Sequence, residues 1–555
     1  MEKKKTKLSK WHIAIIIIGI IFNGIGIIHS NLWFDEAYSV GMASHNFGEI
    51  WNIGGHDVHP VLYYWILSII NVISGGSVIA YRIFSLICIA LLSILGYTHI
   101  RKDFGEKTGI LFSFFALFLP EICIFANEVR MYSLAVLLVT ICAIYAYRIF
   151  KGDTSWKNWI IFEISSLACL YVHYYGLMAA GLIHVIMLIN FIKNHRSQSI
   201  KRIILFGIAL VMLYIPWLVY FVSQLEHVAK GFWIGFEFPN TIIELLSYQY
   251  IGNLNYYVCF SISILLYIYL GVQLYKIKKA KEDILPVKLS IGIYLAVIIA
   301  AVLITVLAKT SIIFYRYLFV ITGLYIFTLS FILAKSKNKK MVTLICIVTA
   351  VLAIASNVKM IEVNYNSENT KPIEYLNENI QPNDVIVYTD IGSGSIVAVN
   401  VTNNKQYYYN EEDWGVQEAY KAFGPQMDTY ITPDFINVAL SSASPITSSS
   451  LANLSSSLIG LELLVVLELL DDVLELLEVE LELLDDVLEP LDVELELLDD
   501  ALELLDTLEE VLLESLIWEL EVTFSFLQET IVIENSIINK NLLDYMFFLL
   551  SKLIY

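Results

Sequence analysis

Of the 555 residues in this chain, 57% are hydrophobic, 13% aromatic and only 16% charged. With a mean hydropathy of +0.67, that is more apolar surface than a soluble core can hide, which excludes a water-soluble globular protein and leaves a polytopic membrane protein. The formal charge of −19 does not mark a cation-binding protein: residues 461–521 alone hold 23 Asp and Glu with no Lys or Arg, and without them the chain carries +4.

The amino-terminal MEKKKTKLSKW is a basic flank ahead of the apolar run Ile13–Ile28. No small-residue cleavage site follows, so the segment reads as an uncleaved signal anchor that doubles as a first span. Further runs able to cross ~30 Å of hydrocarbon lie at 79–100, 109–126, 131–148, 158–172, 176–192, 203–221, 254–274, 288–308, 313–334 and 341–358. About eleven transmembrane helices are therefore expected. Val61–Ile73 (VLYYWILSIINVI) is too short and too aromatic to span, and reads as a helix lying in the interface.

Charge gives the orientation. With the amino terminus cytoplasmic, the inner segments 1–10, 101–108, 148–157, 193–202, 275–288 and 335–340 hold 24 of the 35 Lys and Arg, the positive-inside asymmetry. The outer side then receives 29–78, 127–130, 173–175, 222–253, 309–312 and everything after Asn357. Counting 60–74 as a span would invert every later segment and destroy the pattern. Loop 223–253 is expected to help select an acceptor.

Three regions follow: a transmembrane domain at 1–358, a small extracytoplasmic α/β domain at 359–440, and a low-complexity tail at 441–555. In the second, "QPNDVIVYTD" reads as a turn and a strand, and "NKQYYYN" as another strand. The tail runs from Ser-rich into a 14-residue acidic, leucine-rich repeat interrupted by Pro490, which reads as a solvated low-complexity segment or the out-of-frame translation of a repetitive gene end rather than an oligomerisation element. The six cysteines all fall in apolar runs and read as small core hydrophobes.

Five groups carry chemistry-bearing residues, all on the outer side. In "NLWFDEAYSV", Asp35 and Glu36 sit among Trp33, Phe34 and Tyr38 at the membrane edge, where an unpaired charge is costly and a carboxylate of tuned pKa can serve as general base. In "GGHDVHPVLYYW", His56, Asp57 and His59 offer ligands that suit a divalent metal, yet no fourth ligand is identifiable; otherwise His59–Pro60 opens the interfacial helix and His59 meets a polar headgroup. "FANEVRMYSL" places Glu128 and Arg130 in a very short turn, and "YVHYYGL" places His173 at a span end. In "KTSIIFYRYLF", Arg316 offers a planar fork suited to phosphate. Together they fit a lipid-phosphate substrate that reacts at the boundary. No nucleic-acid partner is expected.

"FDEAYS" after the first span, "HPVLYY", "EVRMYSL" and a late "YRYL" resemble the GT-C superfamily of integral-membrane glycosyltransferases, and most closely the protein O-mannosyltransferase/aminoarabinose-transferase group, over about residues 10 to 435. The resemblance implies an all-α polytopic fold with interfacial helices in the first outer loop, and transfer of a sugar, with inversion, from a polyprenyl-phosphate carrier to an extracytoplasmic acceptor. It implies Asp35 as catalytic base or acceptor-orienting group with Glu36 as partner, Arg130 and Arg316 at the donor phosphate, and His59 or His173 at sugar hydroxyls. The family's usual double proline is a single one here, Pro60–Val61. Arginines or a divalent metal can neutralise the leaving phosphate; no cofactor is otherwise implied. A flippase or transporter of lipid-linked sugars is the alternative, one that would place polar groups near the bilayer midplane on interrupted helices.

Overall fold

Each apolar run of the sequence becomes helical, and what varies is where proline, glycine and buried polar groups break the helices. The computed structural model describes residues 2–230, 234–366, 370–388, 391–408 and 421–429. The acidic repeat tail and the end of the small α/β segment lie outside the described residues.

Helix α1 (Glu2–Gly24) is followed by three short helices in the first loop, α2 (Phe34–Ala43), α3 (Phe47–Gly55) and α4 (Leu62–Ser74). Asn46 starts α3 with a reciprocal capping box to Glu49, and Gly75 ends α4 in the left-handed conformation at φ +66°. Helix α4 covers nearly all of the stretch 61–73 that was expected to be helical and too short to span.

Next come α5 (Val78–Leu95), which runs through a π-helical turn at Gly96–Ile100 into α6 (Arg101–Phe104), then α7 (Glu106–Phe118) and α8 (Pro120–Phe125). The run 109–126 is thus two helices rather than one. Leu119 is extended at ψ 132° ahead of Pro120, because the proline ring disfavours a helical residue before it and Pro itself suits a helix start. In hydrocarbon the carbonyls freed by such a break must find donors. Here Asn23 of α1 donates to Leu117 O at 2.9 Å, and the Cys123 thiol lies on the same oxygen.

The helices that follow are α9 (Tyr132–Lys151), α10 (Trp156–Val172), α11 (Tyr174–Lys193), α12 (Ser197–Lys230), α13 (Asn240–Ile251), α14 (Tyr256–Lys279), α15 (Leu285–Ala308), α16 (Tyr315–Leu318), α17 (Thr322–Lys335) and α18 (Lys339–Asn364). Among the described residues, eight helical stretches are long and apolar enough to cross a membrane, so this is a multi-pass membrane protein. Of the other three expected spans, α10 has 17 residues, the apolar part of α1 is Lys10–Gly24, and the third is broken at Pro120.

The stretch Tyr315–Lys335 forms the centre, with 89% of its apolar window buried, while Ser197–Glu226 and Leu285–Ala308 are 22% and 17% buried and turn Ile, Leu and Val outward. That outward face is what lipid requires. Small residues let central helices touch: a Cβ on Gly109 would lie 2.6 Å from Gly96 O, and one on Gly323 would overlap the Thr140 hydroxyl. The cysteines are unpaired and mostly buried. In loop 223–253, the second half of α13 is buried at Ser247, Tyr248, Gln249 and Tyr250 and belongs to the core.

Beyond α18 follow α19 (Lys371–Asn379), β1 (Val385–Tyr388), α20 (Ile391–Asn400), β2 (Lys405–Tyr408) and β3 (Met427–Thr429). The strands form a parallel sheet in the order β1-β2-β3, with Val385 opposite Lys405 and Gln406 opposite Met427. Both strands read from the sequence are present.

Candidate active site

Helix α2 begins at Phe34 with extended Trp33 before it, so Asp35 and Glu36 occupy its first turn, where carboxylates complement the helix dipole. Successive helical residues point about 100° apart, and the two acids consequently have different surroundings. Glu36 turns inward and is 3% exposed. It takes Arg82 as a two-pronged partner, with Nε to Oε1 at 3.1 Å and NH2 to Oε2 at 2.9 Å, and accepts the Val129 amide at 3.0 Å. Arg82, fully buried, also donates to the carbonyls of His29 and Asn31.

Three hydrogen bonds to the Glu36 carboxylate and four from the Arg82 guanidinium are thus made inside the protein. Glu36, expected beside Asp35, thus faces Arg82 and the Val129 amide rather than the arginines around Asp35.

Asp35 turns the other way. Its side chain is 26% exposed, and Oδ2 lies 3.6 Å from Arg130 Nε and 3.7 Å from Arg316 NH1. Arg130 also donates to the Asp35 carbonyl at 3.2 Å and to Ser39 Oγ at 3.4 Å. Neither Arg130 Nε nor Arg316 NH1 has a hydrogen-bond partner despite burial. Two guanidinium edges are thus aimed at one small space beside a carboxylate.

Arg316 is brought there by α16, stacks 4.5 Å over the Trp33 ring, and lies 3.9 Å from Glu128 Oε2. Burial raises the Glu128 carboxyl to about 7, with Arg316 opposing the shift. The turn 127–131 holding Glu128 and Arg130 is fixed by Ser85 Oγ, which donates to the Glu128 carbonyl at 2.6 Å.

His59 Nε2 is 3.3 Å from Arg130 NH2, and burial with the nearby arginine keeps this imidazole neutral, so Nε2 accepts. His173 stands 6.2 Å from it, ring centre to ring centre. Its Nδ1 accepts the Tyr175 amide at 3.1 Å, and burial and Arg130 lower its pKa to about 3. A neutral ring with Nδ1 accepting carries its proton on Nε2, which is buried without a partner.

The structure brings Asp35, Glu128, Arg130, Arg316, His59 and His173 together. Three contributors were not singled out: Arg82, Trp33, and Tyr38, whose hydroxyl donates to Asp57 Oδ2 at 2.8 Å. The one signal for Arg82 was an arginine at a span start in "AYRIF" on the outer side. His56 instead lies 2.8 Å from the Asn52 carbonyl. Among the described residues no three His, Cys, Asp or Glu side chains are grouped to hold a metal ion. The cluster's chemistry is that of a carboxylate able to take a proton, beside two cations able to hold an anionic oxygen.

Residues 58–220 match the model of the family described as dolichyl-phosphate-mannose-protein mannosyltransferase, a stretch that includes His59, Glu128, Arg130 and His173. No curated protein matches the chain. Two solved structures are similar to it: ArnT from Cupriavidus metallidurans in the apo state, at 9% identity and a TM-score of 0.49, and ArnT from the same organism bound to undecaprenyl phosphate, at 10% and 0.48. Each match covers 73% of this chain and 87% of that chain.

Proposed function

We propose that the protein moves a hexosyl or pentosyl group from a polyprenyl-phosphate carrier to an acceptor hydroxyl on the extracytoplasmic side of the plasma membrane, with inversion. The observation that carries this reading is Asp35, partly exposed, held between Arg130 and Arg316. The acceptor oxygen attacks the anomeric carbon as the bond from that carbon to the phosphate oxygen breaks. Asp35 takes the acceptor's proton, and the polyprenyl phosphate departs onto the two arginines, where negative charge builds up. His173 Nε2–H and His59 are placed to orient sugar hydroxyls. Glu36 acts indirectly, by holding α2 through Arg82.

The similarity to the mannosyltransferase family over 58–220 supports a phosphoprenyl donor, and the 24 Lys and Arg of the inner segments support an outward-facing site. The test is transfer from radiolabelled polyprenyl-phosphate sugars in membranes containing the protein. Label appearing in an acceptor supports the reading. Labelled carrier crossing the bilayer without transfer would assign a transporter instead.

Glu128 makes donor binding depend on pH. With its carboxyl raised to about 7, it is mostly neutral at pH 6 and mostly charged at pH 8. The charged form competes with phosphate for Arg316 at 3.9 Å. Glu128→Gln is therefore expected to bind polyprenyl phosphate as wild type does at pH 6, and several-fold to about tenfold more tightly than wild type at pH 8. The ratio of the two dissociation constants across pH is the measurement, since the phosphate's own titration cancels in it.

A further inference from the structure

The α/β segment after the last membrane helix reaches back to the helix that carries Asp35. A short 3₁₀ turn, Lys421–Phe423, lies on α2 and α3, and α20 packs on α2 as well. Phe423 is 3% exposed and sits between two aromatic rings of one α2 face, 6.0 Å from Phe34 and 5.9 Å from Tyr38, edge-on to the latter.

One turn further along, α2 offers no side chain at Gly41. A Cβ there would lie 2.2 Å from Ala422 O and 2.6 Å from Phe423 Cα. Beyond the end of α2, buried His45 binds the Lys421 carbonyl through Nε2 at 2.6 Å. Positions 34, 38, 41 and 45 follow a helical repeat. They make one continuous docking face for residues 421–423.

The turn is itself tied to α20 and leads into β3. Gln426 Nε2 donates to Ala398 O of α20 at 2.9 Å, and Met427 enters β3 directly after. Phe34 and Tyr38 flank Asp35 in the sequence, so whatever fixes their rings fixes the rotation of α2. A rotation that moves Asp35 Oδ2 by an ångström changes its 3.6 and 3.7 Å approaches to Arg130 and Arg316.

We infer that Phe423 is a positioning residue: wedged between Phe34 and Tyr38, it latches the α/β segment to α2 and sets the rotation at which Asp35 meets its two arginines. The inference rests on the transferase reading for what Asp35 does, and on packing alone for the latch. It assigns the α/β segment a part in the reaction without contact with substrate.

The test compares wild type, Phe423→Ala, Phe423→Leu and Gly41→Ala in the transfer assay, with thermal unfolding of each protein in detergent. A misplaced reacting group costs on the order of 100-fold. Phe423→Ala and Gly41→Ala are therefore expected to lower kcat by about that factor while donor KM stays within about twofold, and Phe423→Leu, which refills the wedge, is expected to recover most of it.

Wild-type kcat in both folded variants would overturn the inference, as would a change confined to KM. If wild type itself transfers no sugar, the transferase reading fails, and unfolding then decides the latch. Phe34→Ala and Phe423→Ala should shift the melting temperature by less together than the sum of their separate shifts, and strict additivity would overturn the latch.

Discussion

Asp35→Asn is expected to lower sugar transfer by ~10²–10⁴-fold, the range for a positioned proton acceptor, with the protein present in the membrane at wild-type level. The amide keeps the shape of the carboxylate and can still lie near Arg130 and Arg316, but it takes up no proton. Donor binding should not weaken, because removing the negative charge between the arginines frees both guanidinium groups for phosphate. The expected signature is thus a collapse of kcat beside an unchanged or tighter dissociation constant for polyprenyl phosphate. Equal transfer by the variant would remove Asp35 from the mechanism.

Arg82→Met should be felt in folding rather than in chemistry. It leaves the Glu36 carboxylate buried with only the Val129 amide, and strips two partners from the carbonyls of His29 and Asn31. Breaking a buried ion pair by removing one partner costs about 3–5 kcal/mol. Glu36→Gln is milder, since the amide oxygen can still accept from Val129 or Arg82. The double variant Glu36→Met/Arg82→Met should be more stable than Arg82→Met alone, because no uncompensated charge remains. The measurement is detergent unfolding of the three variants against wild type. Arg82→Met unfolding like wild type would show that the clamp contributes nothing.

Much of this was legible in the sequence for physical reasons. A membrane sorts residues by polarity so strongly that apolar runs and Lys/Arg asymmetry marked the helices, and charged groups at its edge stood out as costly. Asp35, Arg130 and Arg316 were visible on that ground. The split fate of Asp35 and Glu36 was not, because it depends on a partner 46 residues away that packs only in the tertiary structure. The break at Pro120 had a local signal, "FLPEI", outweighed in the reading by the apolar run around it. The wedge at Phe423 had none. A phenylalanine in "KAFGPQ" says nothing of docking beside residue 34, and the glycine that admits it lies some 380 residues earlier.

The broken third span bears on how the protein is made. At 13 and 6 residues, α7 and α8 reach roughly 20 and 9 Å at 1.5 Å per residue, and neither alone crosses the hydrocarbon. The carbonyl left bare at Leu117 is served by Asn23 of the first helix, so this segment becomes a comfortable resident of the bilayer only once α1 lies against it. Assembly within the bilayer is therefore expected to bring α1 and this segment together across the 94 residues that separate Asn23 from Leu117.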